Sequence, residues 1–283
     1  VLTRALGLRK ELAGLDSIAA GGIALRRPPA FSALALAASL RLFRNHADEA
    51  REILPSWVVP RDDAAHALAV ASAAAGTWRI RALERFRTIA LPPIAPERRA
   101  VVEFALAHAG YPYVKAGEWP VRTPKSYCCG QQPQGGFDCS GLVWWVVRER
   151  GGGYDPAGMR PYGGWPLPER ASARMAKAAV PRVPVREALP GDLLFSDVDG
   201  RGKDWEAIDH VGLALGGGWM IHASAPGVFI DWIADGWWAG RLRWARRLGD
   251  PPATDPPTDP SPAPSATPSA SAPSPSSSPT ASS

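Results

Sequence analysis

Residues 135–150 read GGFDCSGLVWWVVRER, in which an acidic residue and a cysteine lead into six apolar side chains. Periodicity alone allows a strand or a buried helix here. A helix is favoured because Asp138 is a good N-cap and RERGGG supplies polar residues followed by a glycine stop. Cys139 then occupies the first helical position, where free backbone N–H groups and the helix dipole lower the pKa of a thiol. The stretch therefore predicts a buried helix that begins with a reactive cysteine.

A second stretch, DHVGLALGGGWMIHAS at 209–224, offers a base for this thiol. Its two apolar runs flank three glycines, a pattern that predicts a β-hairpin carrying His210 and His222. If the chain turns about Gly216 or Gly217, the two imidazoles share one face as direct or diagonal neighbours. A two-residue loop would separate them, because it changes the parity of the pairing. If both imidazoles lie on one face, one can act as a catalytic base and the other can orient it.

The segments around these motifs predict an α+β fold. APERRAVVEFALAHAG at 95–110 has proline and glutamate in its first turn and apolar residues at helical spacing. LPGDLLFSD at 189–197 predicts a turn and a short strand, and GVFIDWI at 227–233 and GRLRWARRL at 240–248 can add strands. A helix packed against an antiparallel sheet is an α+β architecture. His108, near the end of the first helix, is expected at the surface or as a cap.

The two ends of the chain differ from this centre. Residues 2–15 and 45–54 have helical patterns, whereas the apolar positions of 77–91 fit a helix or a strand pair. The last 34 residues contain almost only Pro, Ser, Thr, Ala and Asp, so we expect them to be disordered. The predicted organisation is an accessory segment of helical or mixed structure at 1–95, a catalytic domain at 96–249 and a disordered tail at 250–283.

An apolar run near the start of the chain has two interpretations. RRPPAFSALALAASLRLF at 26–43 places two arginines before about ten apolar residues, as in a signal peptide. It begins late in the chain and lacks a clear small-x-small cleavage site, so a buried helix is favoured. No run approaches the roughly 18 apolar residues that a bilayer span requires.

Composition limits the classes of ligand. Cys128 and Cys129 are adjacent, with no second cysteine pair or histidine spacing to complete a zinc site, so we expect structural thiols or a bond within the pair. A net charge of +5 suits a polyanionic surface, but the Lys and Arg pairs are scattered, which argues against nucleic acid. The tryptophans, including Trp119, Trp165 and Trp219, could stack on sugars, but core and loop packing is the favoured use.

Taken together, the motifs resemble those of the NlpC-type cell-wall cysteine peptidases, a papain-like family. The resemblance covers roughly Ala95 to Leu248 and rests on AGYPYVKAGEWP, GGFDCSGLVWWV, LPGDLLFSD and DHVGLALGGGWMIHAS, in that order. It implies a papain-like fold that cleaves peptidoglycan stem peptides between D-glutamate and a diamino acid, without a metal or organic cofactor. It also implies that Cys139 is the nucleophile, His210 the general base and His222 the residue that orients the base.

The resemblance extends to a substrate pocket. A carboxylate in this pocket can bind the free amino end of the stem peptide, and the matching positions are Tyr113, Asp138, Ser140 and Ser224. One departure affects the loop beside the pocket, where Lys115 and Ala116 stand in place of the family's usual aromatic residue and glycine. This change puts substrate preference in question more than catalysis.

The functional prediction is an exported, monomeric cysteine endopeptidase that acts on stem peptides through an acyl-enzyme thioester. Its expected location is extracellular or in the cell envelope, with anionic wall polymers as further partners. One alternative is an amidase that cuts between muramic acid and L-alanine, since the same Cys–His pair serves any amide. Another is a wall-binding module without activity, although an intact Cys–His pair argues against it.

Overall fold

The computed structural model describes residues 1–124, 128–149, 167–178 and 182–248. The tail at 250–283, the glycine stop at 151–153 and Trp165 lie outside these ranges. Short helices and one two-stranded ladder build the first 95 residues, in the order α1 (Leu2–Ala5), α2 (Arg9–Asp16), β1 (Ala19–Ala20), β2 (Ile23–Ala24), α3 (Phe31–Ser39), α4 (Arg61–Ala74) and α5 (Trp78–Ala82). The helix expected within 45–54 is wrong, because only a 3-10 turn at Glu49–Arg51 forms there.

The centre of the chain consists of helices and an antiparallel sheet, which confirms the expected α+β class. Its elements are α6 (Pro96–Leu106), β3 (Glu118–Trp119), β4 (Gly136–Phe137), α7 (Cys139–Glu149), α8 (Ser172–Lys177), β5 (Arg182–Val183), β6 (Leu193–Ser196), β7 (His210–Gly216), β8 (Trp219–Ser224), β9 (Gly227–Trp232) and β10 (Leu242–Arg246). Six of the strands form one sheet in the order β5-β10-β6-β7-β8-β9, and each neighbouring pair is antiparallel.

Helix α7 lies in the core, against β7 and β8 of the sheet. Its apolar run from Leu142 to Val147 is buried on every side of the helix. Trp119 of β3 covers the outer side and meets Trp144 and Trp145 edge-on, with ring centroids 5.7 and 5.0 Å apart. A helix that is apolar all round needs such cover on both sides. The apolar run therefore fixes the position of the residues at its N-terminus.

The N-terminal helices share this core. Helix α3 is buried, with Phe31 and Leu36 fully enclosed, and this confirms a buried helix for the apolar run at 26–43. Ser39 at its end donates a hydrogen bond to the carbonyl of Ile230 in β9, at 3.5 Å. The first helices and the sheet contribute to one continuous hydrophobic cluster. Within the described ranges, no helix has the length and hydropathy needed to cross a bilayer.

The placement of His108 differs from the expectation of a surface or capping residue. The ring is buried and accepts a hydrogen bond from the Trp145 indole at 3.0 Å through Nε2, while Nδ1 lies 2.8 Å from the carbonyl oxygen of Phe104. Burial lowers the pKa of His108 to about 4, so the ring is neutral at physiological pH. This histidine joins α6 to α7 in the core. Among the tryptophans, Trp119 and Trp219 are buried in the core, as the packing interpretation predicted.

Candidate active site

The start of α7 has the N-cap that the sequence predicts. Cys139 is the first helical residue, and the Asp138 carboxylate accepts hydrogen bonds through Oδ1 from the backbone N–H of Gly141 at 2.6 Å and from the Ser140 hydroxyl at 3.0 Å. Gly141 must lack a side chain, because a Cβ there would overlap the carbonyl oxygen of Gly117. The cap and this close approach fix the backbone on which Cys139 stands.

The hairpin that carries the two histidines turns through a two-residue loop. Gly216 pairs with Trp219, which leaves Gly217 and Gly218 in the loop, and all three glycines have positive φ. By itself such a loop would place His210 and His222 on opposite faces of the sheet. The position of the turn therefore does not by itself place His210 and His222 on one face, as the sequence analysis expected.

A β-bulge restores the pairing that the histidines need. The register shifts between Gly216 and Ala214, so that Leu215 is an extra residue and Ala214 pairs with Met220. Continued along the strands, this register makes His210 and His222 diagonal neighbours on one face. The expected shared face therefore exists, but it depends on a bulge that the sequence analysis did not include.

The two imidazoles are in direct contact. His210 Nε2 lies 2.9 Å from His222 Nδ1, with the rings perpendicular at an angle of 86°. Trp238, from the segment after β9, packs against both rings at centroid distances of 5.7 and 5.3 Å. Because Nε2 of His210 is engaged with His222, Nδ1 is the ring nitrogen left to accept a proton from a thiol. This geometry suits a base held by an orienting residue.

Cys139 lies beside the start of β7. Its thiol is within 4.0 Å of the Asp209 carbonyl oxygen, and the backbone N–H groups of Val211 and Ser140 stabilise its thiolate. Burial and the Asp138 carboxylate nevertheless raise the pKa of the thiol. The expectation of a lowered thiol pKa is therefore wrong, since the N–H groups at the helix start oppose these larger effects without outweighing them.

The pKa values of His210 and His222 shift in the opposite direction to that of the thiol. Burial lowers the pKa of both rings, and for His210 the neighbouring His222 lowers it further. The Asp209 and Asp138 carboxylates act in the opposite direction on His210. Together these shifts favour the neutral thiol and the neutral imidazoles over a thiolate–imidazolium pair.

The neutral thiol has a measurable consequence. Alkylation of Cys139 by iodoacetamide in the absence of substrate should keep accelerating with pH, up to about pH 9 or higher, because only the thiolate reacts. Mass spectrometry of the labelled chain measures this rate without reporting Cys128 and Cys129, which are joined in a disulfide. A rate that is already constant below about pH 7 would instead indicate a preformed thiolate–imidazolium pair.

A cation that the sequence analysis missed organises the acidic side of the site. Arg170 binds both oxygens of Asp138 at 3.1 and 3.2 Å, and its Nε donates to Glu118 at 2.5 Å. It also donates to the Ser140 hydroxyl at 2.6 Å and to the Gly117 carbonyl at 3.0 Å. Two carboxylates therefore contact one guanidinium. The only sequence signal was an arginine in a loop 32 residues after Asp138.

Some of the predicted substrate-binding residues lie around the Arg170 guanidinium and its carboxylate partners. Tyr113 lies near Asp138 and Cys139, and burial, together with repulsion from the ionised forms of these two groups, raises the pKa of its hydroxyl to about 12. Oδ1 of Asp138 already accepts three protein donors, whereas Oδ2 accepts from Arg170 and has a further lone pair. Ser224 ends β8, two residues beyond His222 and on the same face.

The loop with the atypical residues retains a glycine-like backbone. Ala116 has φ of 59°, in the left-handed region that favours glycine. The following Gly117 accepts the bond from Arg170 and a backbone bond from Asp138. Alanine therefore adopts the turn that glycine would make, at a cost of about 1–2 kcal/mol. Within the described ranges no group of three metal-ligating side chains is present.

The disulfide and the N-terminal segment flank the site. Cys128 and Cys129 are bonded to each other, and the backbone N–H of Cys128 donates to Glu118 at 3.2 Å. On the other side, Gln134 donates to the carbonyl of Glu52 at 2.8 Å. The Glu52 carboxylate accepts from the backbone of His46, and burial raises its pKa to about 7. Residues 46–54 therefore pack against the loop that leads into α7.

A nucleophile candidate at a helix start, facing histidines on an antiparallel sheet, defines the papain-like class of fold. Residues 122–247 match the family model described as the NlpC/P60 family. This match confirms the resemblance found in the sequence.

Similar proteins include two from Bacillus subtilis. The bifunctional muramidase/DL-endopeptidase CwlT is 31% identical over 142 residues, which cover 50% of this chain and 34% of that protein. The gamma-DL-glutamyl hydrolase is 30% identical over 144 residues, or 50% of this chain and 30% of that protein. The chain thus spans about a third of these relatives. The solved NlpC/p60 domain of the peptidoglycan hydrolase SagA is 29% identical, covering 53% of this chain and 98% of that chain with a TM-score of 0.35.

Proposed function

We propose that this protein is a cysteine endopeptidase that cleaves peptidoglycan stem peptides at the bond between D-glutamate and the diamino acid. The observation that carries the proposal is the His210–His222 contact of 2.9 Å beside Cys139 at the start of α7. The relatives named as a DL-endopeptidase and a gamma-DL-glutamyl hydrolase support this bond type. Their names also favour a location in the cell wall, outside the cytoplasmic membrane.

In the proposed mechanism, Nδ1 of His210 takes the thiol proton as the Cys139 sulfur attacks the scissile carbonyl carbon. The bond from His210 Nε2 to His222 keeps the imidazolium in place. The tetrahedral intermediate collapses to an acyl-enzyme thioester when His210 donates the proton to the leaving amine. Water then hydrolyses the thioester. The backbone N–H groups near the sulfur supply stabilisation for developing negative charge.

The substrate-binding proposal concerns the free amino end of the stem peptide. The Asp138 carboxylate lies next to Cys139, and its Oδ2, which accepts from Arg170, has a further lone pair that can accept from an ammonium group. Tyr113 and Ser140 line the same side, and Ser224 lies across the site on β8. A peptide with a free L-alanine amine should therefore be cleaved better than one whose amine is joined to muramic acid.

The test is mass spectrometry of defined muropeptides and free stem peptides after incubation with the full chain. We expect a dipeptide of L-alanine and D-glutamate as a product, and no product from Cys139→Ala. Peptide-free muramic acid sugars with intact stem peptides would establish the amidase alternative. Binding of muropeptides without any product would establish the wall-binding module.

A further inference from the structure

An acidic side chain on the edge strand faces the ring that orients the candidate base. The register of β8 and β9 pairs His222 with Phe229 and Met220 with Asp231. Asp231 is thus the diagonal neighbour of His222 on the same face of the sheet. Its Oδ2 lies 3.9 Å from His222 Nε2, which is beyond hydrogen-bond distance but within the range of an ion pair.

This ring nitrogen is buried and has no hydrogen-bond partner within the described ranges of the chain. The His222 ring is only 2% exposed, so bulk water does not solvate the nitrogen. A buried polar atom without a partner is costly unless its surroundings compensate for it. A carboxylate compensates for an N–H that points at it, whereas it repels a nitrogen lone pair.

The tautomer of His222 decides whether His210 can act as a base. If His222 carries its proton on Nε2, its Nδ1 accepts the N–H of His210, and Nδ1 of His210 is free to take the thiol proton. If His222 carries its proton on Nδ1 instead, it donates to Nε2 of His210. The ring proton of His210 then lies on Nδ1, and this nitrogen cannot accept the thiol proton. Only the first arrangement supports catalysis.

We propose that Asp231 is a positioning residue that holds His222 in the Nε2–H tautomer and thereby keeps His210 able to accept the thiol proton. The same negative charge stabilises the imidazolium that forms on His210 during attack. The inference rests on the proposed function, but the tautomer is a property of the folded protein that can be observed without turnover.

The Asp231 carboxylate is itself held in place. Oδ2 accepts a hydrogen bond from the Trp238 indole at 2.8 Å, and Oδ1 accepts one from the backbone N–H of Trp232 at 2.9 Å. Trp238 packs against His210 and His222, so one side chain sets the distance from the carboxylate to both rings.

Other charged side chains also lie near His210 and Asp231. Asp138 and Asp209 act on His210. Burial raises the pKa of Asp231, and the N–H groups of Trp238 and Trp232 and the charges of Arg41 and Arg85 oppose this shift in favour of the carboxylate. The side chain of Asp231 is 40% exposed, so solvent screens part of its effect. We therefore expect a contribution near the lower end of the roughly 10–100-fold range that is known for groups orienting metal-binding imidazoles.

The test compares Asp231→Asn with Asp231→Glu and with Asp235→Asn. Asparagine keeps an oxygen for the Trp238 bond and removes the charge, glutamate keeps the charge, and Asp235 pairs with Arg85 at the surface. We expect Asp231→Asn to lower kcat on a stem peptide about tenfold without changing KM. Asp231→Glu should recover part of this loss, and Asp235→Asn should match the wild type.

Nitrogen-15 NMR of the histidine rings supplies the second readout. In the wild type, His222 should show one Nε2–H tautomer, and Asp231→Asn should show a mixture of both. A pure Nε2–H signal in Asp231→Asn would overturn the proposal, as would a kcat equal to that of the wild type. If the wild type cleaves no stem peptide, the proposed function fails, yet the NMR comparison still decides the role of Asp231.

Discussion

His210→Ala should lower turnover of a defined stem peptide by about 10²–10⁴-fold, the usual contribution of a general base. The reason is that burial raises the pKa of the Cys139 thiol, so that a base has to take the proton during attack. The measurement is kcat of the purified variant, with circular dichroism to verify folding. His66→Ala, a histidine in α4, is the matched control and should keep wild-type activity.

The two histidines should not be equivalent. His222 holds the base through one contact of 2.9 Å, a role that a polar side chain can partly replace, so His222→Gln should retain more activity than His210→Ala. Both variants should fall towards the level of Cys139→Ala, and combinations should not add, since the residues act as one unit. Full activity in His222→Ala would remove this residue from the mechanism and leave a Cys–His dyad.

Local sequence patterns were sufficient for the main elements of the site. Asp138 and the apolar run after it defined the start of α7, because caps and hydrophobic periodicity act over only a few residues. The hairpin was equally visible from its glycines and apolar runs. The bulge at Leu215 was not, since a register shift depends on how each strand packs and not on residue type alone.

Long-range partners were beyond the reach of the sequence. Arg170 joins Asp138 and Glu118 from a loop with no periodic pattern, and nothing in its neighbours marks it for burial. His108 was misplaced for the same reason, because its partner Trp145 is 37 residues away. In both cases a polar side chain is buried because a distant partner satisfies it, and such a pairing leaves no local signature.

Arg170→Met should lower the free energy of unfolding by about 3–5 kcal/mol, the usual cost of removing one partner from a buried ion pair. Glu118 is fully buried and Asp138 largely so, and without the guanidinium their like charges repel each other. Urea denaturation followed by tryptophan fluorescence measures the change. Arg186→Met is the matched control, because Arg186 pairs with Glu187 at the surface with 80% of its side chain exposed, and it should change stability by less than about 1 kcal/mol.

A second variant distinguishes repulsion between the Glu118 and Asp138 carboxylates from loss of the other contacts of Arg170. Adding Glu118→Gln to Arg170→Met removes one of the two like charges, so the double variant should be more stable than Arg170→Met alone. The same double variant should react more slowly with iodoacetamide at Cys139 than the wild type, because the Arg170 charge lowers the pKa of the thiol and Arg170 orients Asp138 and Ser140 at the start of α7. If Glu118→Gln instead destabilises Arg170→Met further, repulsion between the carboxylates is not the cause, and the hydrogen bonds of Arg170 to Gly117 and Ser140 account for its effect.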